Sequence, residues 1–310
     1  MYLVGIDGGG TKTKCVIGDQ KGNILSEGYG GNANYQICGE KVAKDSIVSA
    51  LQEAMNKINI SLDDIEYSVL GLAGADDDMD YKILNKICKS IFMNVPFEVF
   101  NDCFIGLRSG SQDNWGVISI CGTGAAYAGR SRDGEEVILR NMDYMLGNKG
   151  GGSELVEHAL HYAFRSNENT GDKTILENTI PKLFQVKDMS DVYNHIRTKG
   201  LTEEQLFNIP IDLFDAADMR DRVAQNIVIN MGITAGEYTN AVIRKLGFQD
   251  KKVPVILIGS VFKTRNPLLL TAYSLSVYKE ASKADIIIPD IDPVMGAYYL
   301  AVDKKKGIVI

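Results

Sequence analysis

The sequence predicts an α/β protein of two domains packed around a cleft. Three observations carry that reading. Its 310 residues suit about two domains, at roughly 150 residues for each. A unit of strand, glycine loop, strand, turn and strand occurs near residue 2 and again near residue 116. Its loop glycines, Gly8 and Gly122, lie 114 positions apart, as an internal duplication would place them. No low-complexity linker interrupts the chain, so more than one crossing joins the two domains.

The elements follow in order. Residues 2–6 are an apolar run that stops at Asp7-Gly8-Gly9-Gly10, and residues 14–18 resume it. Gln20-Lys21-Gly22-Asn23 turns the chain into a third strand at 24–29. Ile47, Leu51, Met55 and Ile58 recur at helical spacing, and Val42 extends the stripe upstream. Strand 66–71, a helix over 80–92 and strand 97–100 complete the first half. The second half opens with strand 116–120, which ends in Cys121-Gly122-Thr123-Gly124. Strands follow at 125–130 and 137–139, separated by the turn Arg132-Asp133-Gly134-Glu135. A helix spans 152–164, short helical stretches fill 172–220, and a long helix covers 221–246. Apolar strands at 253–258 and 284–288 come next. Pro293 suits the first turn of a final helix, where a missing N–H costs nothing.

Composition narrows the function classes. Forty acidic against thirty-three basic residues give a net charge of −7, which repels phosphate polymers in the absence of a basic patch. Lys304-Lys305-Lys306 is the longest basic run, so no nucleic-acid partner is expected. Small phosphate ligands stay open, because backbone N–H groups bind them without lysine. The five cysteines, Cys15, Cys38, Cys88, Cys103 and Cys121, are scattered and form no CxxC pair. With no leader-like start and no 18-residue apolar run, a cytoplasmic protein without membrane contact is expected.

Two loops carry the chemistry. In Asp7-Gly8-Gly9-Gly10-Thr11 the glycines let the backbone bring its N–H groups against an oxyanion, and the threonine hydroxyl adds a donor. Asp7, at a strand end, is placed to hold water on a magnesium ion. No GxxxxGK[ST] loop is present; the plainer reading of the segment is a glycine-rich hairpin. Cys121-Gly122-Thr123-Gly124 repeats the pattern in the second half, and two such loops facing each other would clamp a polyphosphate. Asp102 follows a strand end, where open α/β sheets place ligand contacts, and suits a general base. The plainer alternative makes Asn101 or Asp102 the N-cap of a helix over 103–110. Gly259-Ser260 admits a flat base or is simply a turn. His158 and His161, with Glu154 and Glu157, have helical spacing but no HExxH pattern, and read as ordinary helix residues. Cys121 reads as a packing residue.

These motifs, taken together, resemble the N-acetylglucosamine kinase and BadF/BadG/BcrA/BcrD ATPase branch of the sugar kinase, Hsp70 and actin superfamily. Residues 5–13 resemble its first phosphate motif, 120–124 its second and 257–262 its adenosine motif; 70–76 and 292–297 resemble its two connecting segments. The resemblance implies two ribonuclease-H-like (actin-like ATPase) domains with a nucleotide cleft between them. The first comprises 1–115 plus 293–310, the second 116–292. It implies ATP phosphates on Gly8, Gly9, Gly10, Thr11, Lys12, Gly122, Thr123 and Gly124, adenosine at Gly259 and Ser260, and Mg2+ reached through water from Asp7. Asp102 becomes the catalytic base for a sugar 6-hydroxyl, with Asn34, Gly147 and Asn148 as further sugar contacts. A homodimer is implied as well.

One segment departs from the family. Relatives read Leu-Gly-Asp-Glu-Gly-Ser-Gly where this chain has Leu146-Gly147-Asn148-Lys149-Gly150-Gly151-Gly152. An amide and an ammonium replace two carboxylates, which disfavours glucosamine and suits N-acetylglucosamine or the carboxylate-bearing N-acetylmuramic acid. Two other functions compete. One is an ATPase activator of a 2-hydroxyacyl-CoA dehydratase or benzoyl-CoA reductase, which would need cysteines for an iron–sulfur cluster. The other is a nucleotide-binding sensor without turnover.

Overall fold

A computed structural model describes residues 1–140, 147 and 149–308. Its two five-stranded sheets have the same plan. The first holds β1 (Tyr2–Gly8), β2 (Thr13–Gly18), β3 (Ile24–Gly30), β4 (Ile65–Leu72) and β5 (Phe97–Asn101), in the order β3-β2-β1-β4-β5. The second holds β6 (Gly116–Cys121), β7 (Ala125–Arg130), β8 (Glu136–Ile138), β9 (Pro254–Ile258) and β10 (Asp285–Ile287), in the order β10-β9-β6-β7-β8. In each, three strands form an antiparallel meander and two join in parallel. That is the duplicated ribonuclease-H-like order the sequence predicts.

Helices cover both faces. On one face of the first sheet lie α1 (Tyr35–Lys57) and α2 (Asp78–Phe92). The α1 stripe of Ala43, Ile47, Ala50, Leu51 and Ala54 is buried, as its spacing requires. The helix starts earlier than that stripe, at Tyr35, because Asn34 caps it and Gly39, at φ 82°, breaks the first turn from the rest. Asp77 and Asp80 form a capping box at the start of α2.

In the second half α4 (Gly152–Asn167), α5 (Leu176–Leu183), α6 (Met189–Lys199) and α7 (Glu203–Asp218) build an all-helical layer beside α8 (Arg222–Lys245). After β9 come a short α9 (Ser260–Lys263) and α10 (Pro267–Glu280). The periodic pattern gives no sign of α10, because apolar residues occur on every side of it. Leu269, Tyr273 and Val277 are buried, while Leu275 and Tyr278 stand exposed.

Between the two sheets run α3 (Asp102–Gly110) and the final helix, α11 (Val294–Lys305). Cys103, Phe104 and Leu107 of α3 pack on Ile118, Ile256 and Ile258 of the second sheet. Ala297, Tyr298 and Ala301 of α11 pack on Leu3 and Val16 of the first. The helices cross so closely that a Cβ at Gly296 would lie 1.8 Å from the Ile105 carbonyl oxygen. Arg108 and Asp303, both largely buried, close the crossing with an ion pair of 2.8 Å. No helix among the described residues is long and apolar enough to cross a membrane.

The obstacle at Gly296 is backbone, which does not step aside. Gly296→Ala is expected to cost about 1–3 kcal/mol of stability, read as a lower midpoint in chemical denaturation; an unchanged midpoint would contradict this packing.

Candidate active site

The parallel strands bring the first group of candidate residues to one edge. Register pairs Gly8 with Leu72 and Leu72 with Asn101, so Asp7, the segment after Leu72 and Asp102 emerge side by side. Backbone bonds lace their loops: Ala73 N–H to the Gly8 carbonyl (2.9 Å), Ala33 N–H to the Gly9 carbonyl (3.0 Å) and Gly9 N–H to the Lys12 carbonyl (3.0 Å). Gly8 is closely packed, since a Cβ there would lie 2.6 Å from Leu72 Cδ2 and 3.0 Å from Ala33 Cβ. Gly10, Thr11 and Lys12 are exposed. Asn34 is half-buried, and its side-chain oxygen accepts the Gln36 N–H (3.1 Å).

The choice between cap and base at 101–102 falls out cleanly. Asn101 is the cap: its Oδ1 accepts the Cys103 N–H at 2.9 Å. Asp102, the first residue of α3, is not the N-cap, although its carboxylate also accepts from the Cys103 N–H and thiol. Burial first, and then the neighbouring Asp76, push its carboxyl up to about 6. Asp7 is pushed up to about 7, by burial and then by Asp102, with Asp292 adding to the rise and Lys12 and Lys14 opposing it.

Such crowded negative charge fits a divalent cation, which would supply what the lysines only partly offset. Among the described residues no group of three or more His, Cys, Asp or Glu side chains could cage a metal. These donors would suit a magnesium ion carried on phosphate oxygens and water better than one caged by side chains.

The second half supplies a matching edge. Gly152 N–H and Ser153 N–H, at the start of α4, donate to the Gly122 and Thr123 carbonyls (2.7 and 3.0 Å). Gly259 presses on the loop as well, since a Cβ there would meet the Cys121 carbonyl oxygen at 2.2 Å. By contrast, a Cβ at Gly122 or Gly124 would meet no atom within 4 Å. The fold itself has no need of glycine there, whereas an approaching phosphate does. Ser260 is exposed at the head of α9, and Cys121 is buried, as a packing residue should be.

A connection that the sequence reading missed joins the two edges. Asp292 pairs with Lys14 of β2 (3.1 Å) and with Lys263 of α9 (3.2 Å), and Lys14 also reaches Glu27 (3.1 Å). Alternation of apolar residues marks Lys14 only as a strand position, so spacing offered no clue to its partner.

Asn148 lies outside the described residues. Its neighbours are anchored: Tyr238 stacks on Tyr127 at 5.0 Å between ring centroids, and their hydroxyls donate to the Gly147 and Lys149 carbonyls (2.8 and 3.2 Å). Glu154 accepts the Gly150 N–H (2.6 Å) and lies 3.2 Å from His158 Nε2. Lys149, Glu154, His158, Arg165, Asn226 and Asn230 help to line a cavity of about 560 Å³ between α4 and α8. His158 is thus more engaged than an ordinary surface residue, while His161 is exposed.

A family model described as the BadF/BadG/BcrA/BcrD ATPase family matches residues 4–301. The chain belongs to that family. It is 28% identical over 300 residues to an N-acetylmuramic acid/N-acetylglucosamine kinase of Clostridium acetobutylicum, covering 97% of this chain and 98% of the relative. It is equally 28% identical over 316 residues to an N-acetyl-D-glucosamine kinase of Dictyostelium discoideum, covering 98% of both. Among solved structures, a candidate N-acetylglucosamine kinase from Chromobacterium violaceum superposes with a TM-score of 0.73 at 20% identity, over 97% of this chain and 98% of the other. A ROK family glucokinase from Streptomyces griseus, solved with glucose and AMPPNP, gives 0.62 at 16% identity, over 97% and 99%. These likenesses fix the two-domain actin-like fold, and membership of the ATPase family implies ATP use.

The raised carboxyl of Asp7 has a consequence for stability. The folded state binds this proton more tightly than the unfolded state. Its contribution is therefore full below about pH 4 and lost as pH rises through about 7. Asp7→Asn is expected to raise the melting temperature of the ligand-free protein by a few degrees at pH 8, and to change it little at pH 4. Equal shifts at the two pH values would contradict the assignment.

Proposed function

We propose that this protein is an ATP-dependent kinase that phosphorylates the 6-hydroxyl of an amino sugar, N-acetylglucosamine foremost and N-acetylmuramic acid as a second substrate. The observation that carries the reading is Asp102, at the strand edge beside the glycine loop after Asp7, with its proton affinity raised by burial and Asp76. Support comes from the two named amino-sugar kinases, which align along nearly the whole chain. The proposal includes the lobe division 1–115 plus 293–310 and 116–292, a homodimer, and a cytoplasmic location.

In this reading the glycine loops 8–12 and 122–124 hold the triphosphate from two sides, and Gly259-Ser260 meets the adenosine. A magnesium ion would supply charge neutralisation for the transferring phosphoryl group, and Asp7 would hold it through water. Asn34 and the 147–148 segment hold the sugar. Asp102 accepts the proton of the 6-hydroxyl as that oxygen bonds to the γ-phosphorus; the bond from phosphorus to the bridging oxygen breaks and ADP leaves. Most of the rate enhancement then comes from positioning and electrostatics.

The activator reading fares less well. It needs thiols at a surface to ligate a cluster, but Cys15, Cys88, Cys103 and Cys121 are buried and Cys38 alone is half-exposed.

Two outcomes test the proposal. Asp102→Asn should lower phosphorylation of N-acetylglucosamine by about 10²–10⁴-fold in a coupled ADP-release assay, while calorimetry still detects nucleotide binding. Full activity in that variant would remove the base. For the native enzyme, kcat/KM should fall about tenfold per unit below roughly pH 6, because it reports the free enzyme's base. A profile flat down to pH 5 would contradict the role given to Asp102.

A further inference from the structure

Asp76, in the loop between β4 and α2, carries a charge that the fold itself does not use. Asp77, not Asp76, caps α2, and Asp76 forms no ion pair among the described residues. Yet it is held with care. Asn101 Nδ2 donates to Asp76 Oδ1 (3.0 Å) and to the Ala75 carbonyl (3.2 Å), while its Oδ1 caps α3 at Cys103. One amide therefore ties this carboxylate to the turn that presents Asp102. The backbone behind it is fixed as well. Buried Asp80 accepts the Asp76 and Asp77 N–H groups (3.1 and 3.0 Å), Gln36 Nε2 (3.2 Å) and the Tyr35 hydroxyl.

We propose that Asp76 is a positioning residue for phosphoryl transfer, holding the first turn of α3 through Asn101 and keeping a second negative charge beside Asp102. This rests on the kinase reading above. Like charges in one cleft disfavour each other's ionisation, so placing Asp76 there makes Asp102 a stronger base toward the sugar hydroxyl. Of the charges acting on Asp102, that of Asp76 is the largest. The other titratable groups around the base are Asp7 on β1, with Lys12, Lys14 and Asp292 beyond it, Asp77 and Asp80 behind Asp76, Tyr81 of α2, whose hydroxyl accepts the Asn101 N–H, and the buried Cys103 thiol next in the chain. Asp76 is exposed and lies in a loop, so its replacement leaves the core intact.

The test is kcat/KM against pH for the full-length native enzyme, D76N, D76S and D76E, with N-acetylglucosamine and saturating magnesium–ATP. D76N keeps an acceptor for Asn101 and removes only the charge. Its acid limb should move down by about half a unit to one unit, with a severalfold lower plateau in kcat. D76S should move the limb the same way and serves if D76N folds poorly. D76E should keep the limb of the native enzyme. A limb that stays in place in both neutral variants overturns the proposal, even where activity or stability falls. Loss of the kinase reading has its own signature, namely D102N turning over sugar as fast as the native enzyme.

Discussion

The crossing of α3 and α11 is the constraint on which the rest depends. Each helix lies between the sheets, and their separation is set by one glycine against one carbonyl, Gly296 against Ile105. The N-terminus of α3 presents Asp102, and the residue just before Pro293 and α11 is Asp292, whose carboxylate pairs with Lys14 and Lys263. The helix pair thus fixes at once where Asp102 stands and how the edge carrying Asp7 meets the edge carrying Ser260. Interiors packed at this density transmit a displacement rather than absorb it. A shift of one helix along the other would move the base and the loops together.

The site is assembled at some cost to stability. Asp102 raises the proton affinity of Asp7, and Asp76 raises that of Asp102, where a fold selected for stability alone would place neutral groups. Perturbed carboxyls of this kind cluster at functional sites. In the proposed reaction the remedy would come from outside: a cation would offset the charge near Asp7, and a substrate hydroxyl would give its proton to Asp102. Two of the lysines nearby are already committed, since Lys14 and Lys263 share Asp292. They stitch the halves together and leave the excess negative charge for the ligands to balance.

Much of this was legible in the sequence. Strand runs that halt at Asp7 and Cys121 marked both loops, and the repeat of the unit foretold two sheets of one plan. The features that stayed hidden have physical reasons. The first turn of α1 lacks a buried stripe, with Ile37 exposed and Gly39 breaking the helix, so the pattern pointed only to its later part. Apolar residues all around α10 erased its periodicity. The sequence left Asn101 and Asp102 as equal candidates for the cap, because both side chains can accept an N–H; the fold decides by giving Asn101 a second job on Asp76. Contacts between distant segments, such as Asp292 with Lys14, have no local signature. The altered pair Asn148-Lys149 was conspicuous in the sequence. The structure shows how Tyr127 and Tyr238 pin its surroundings, with Asn148 itself outside the described residues.

The most direct measurement is a crystal structure with a non-hydrolysable ATP analogue, magnesium and N-acetylglucosamine bound together. The account predicts the β and γ phosphates between residues 8–12 and 122–124, the base at Gly259-Ser260, and the sugar 6-hydroxyl within hydrogen-bond reach of Asp102. Phosphates resting on one loop alone, or a sugar whose 6-hydroxyl points away from Asp102, would contradict it.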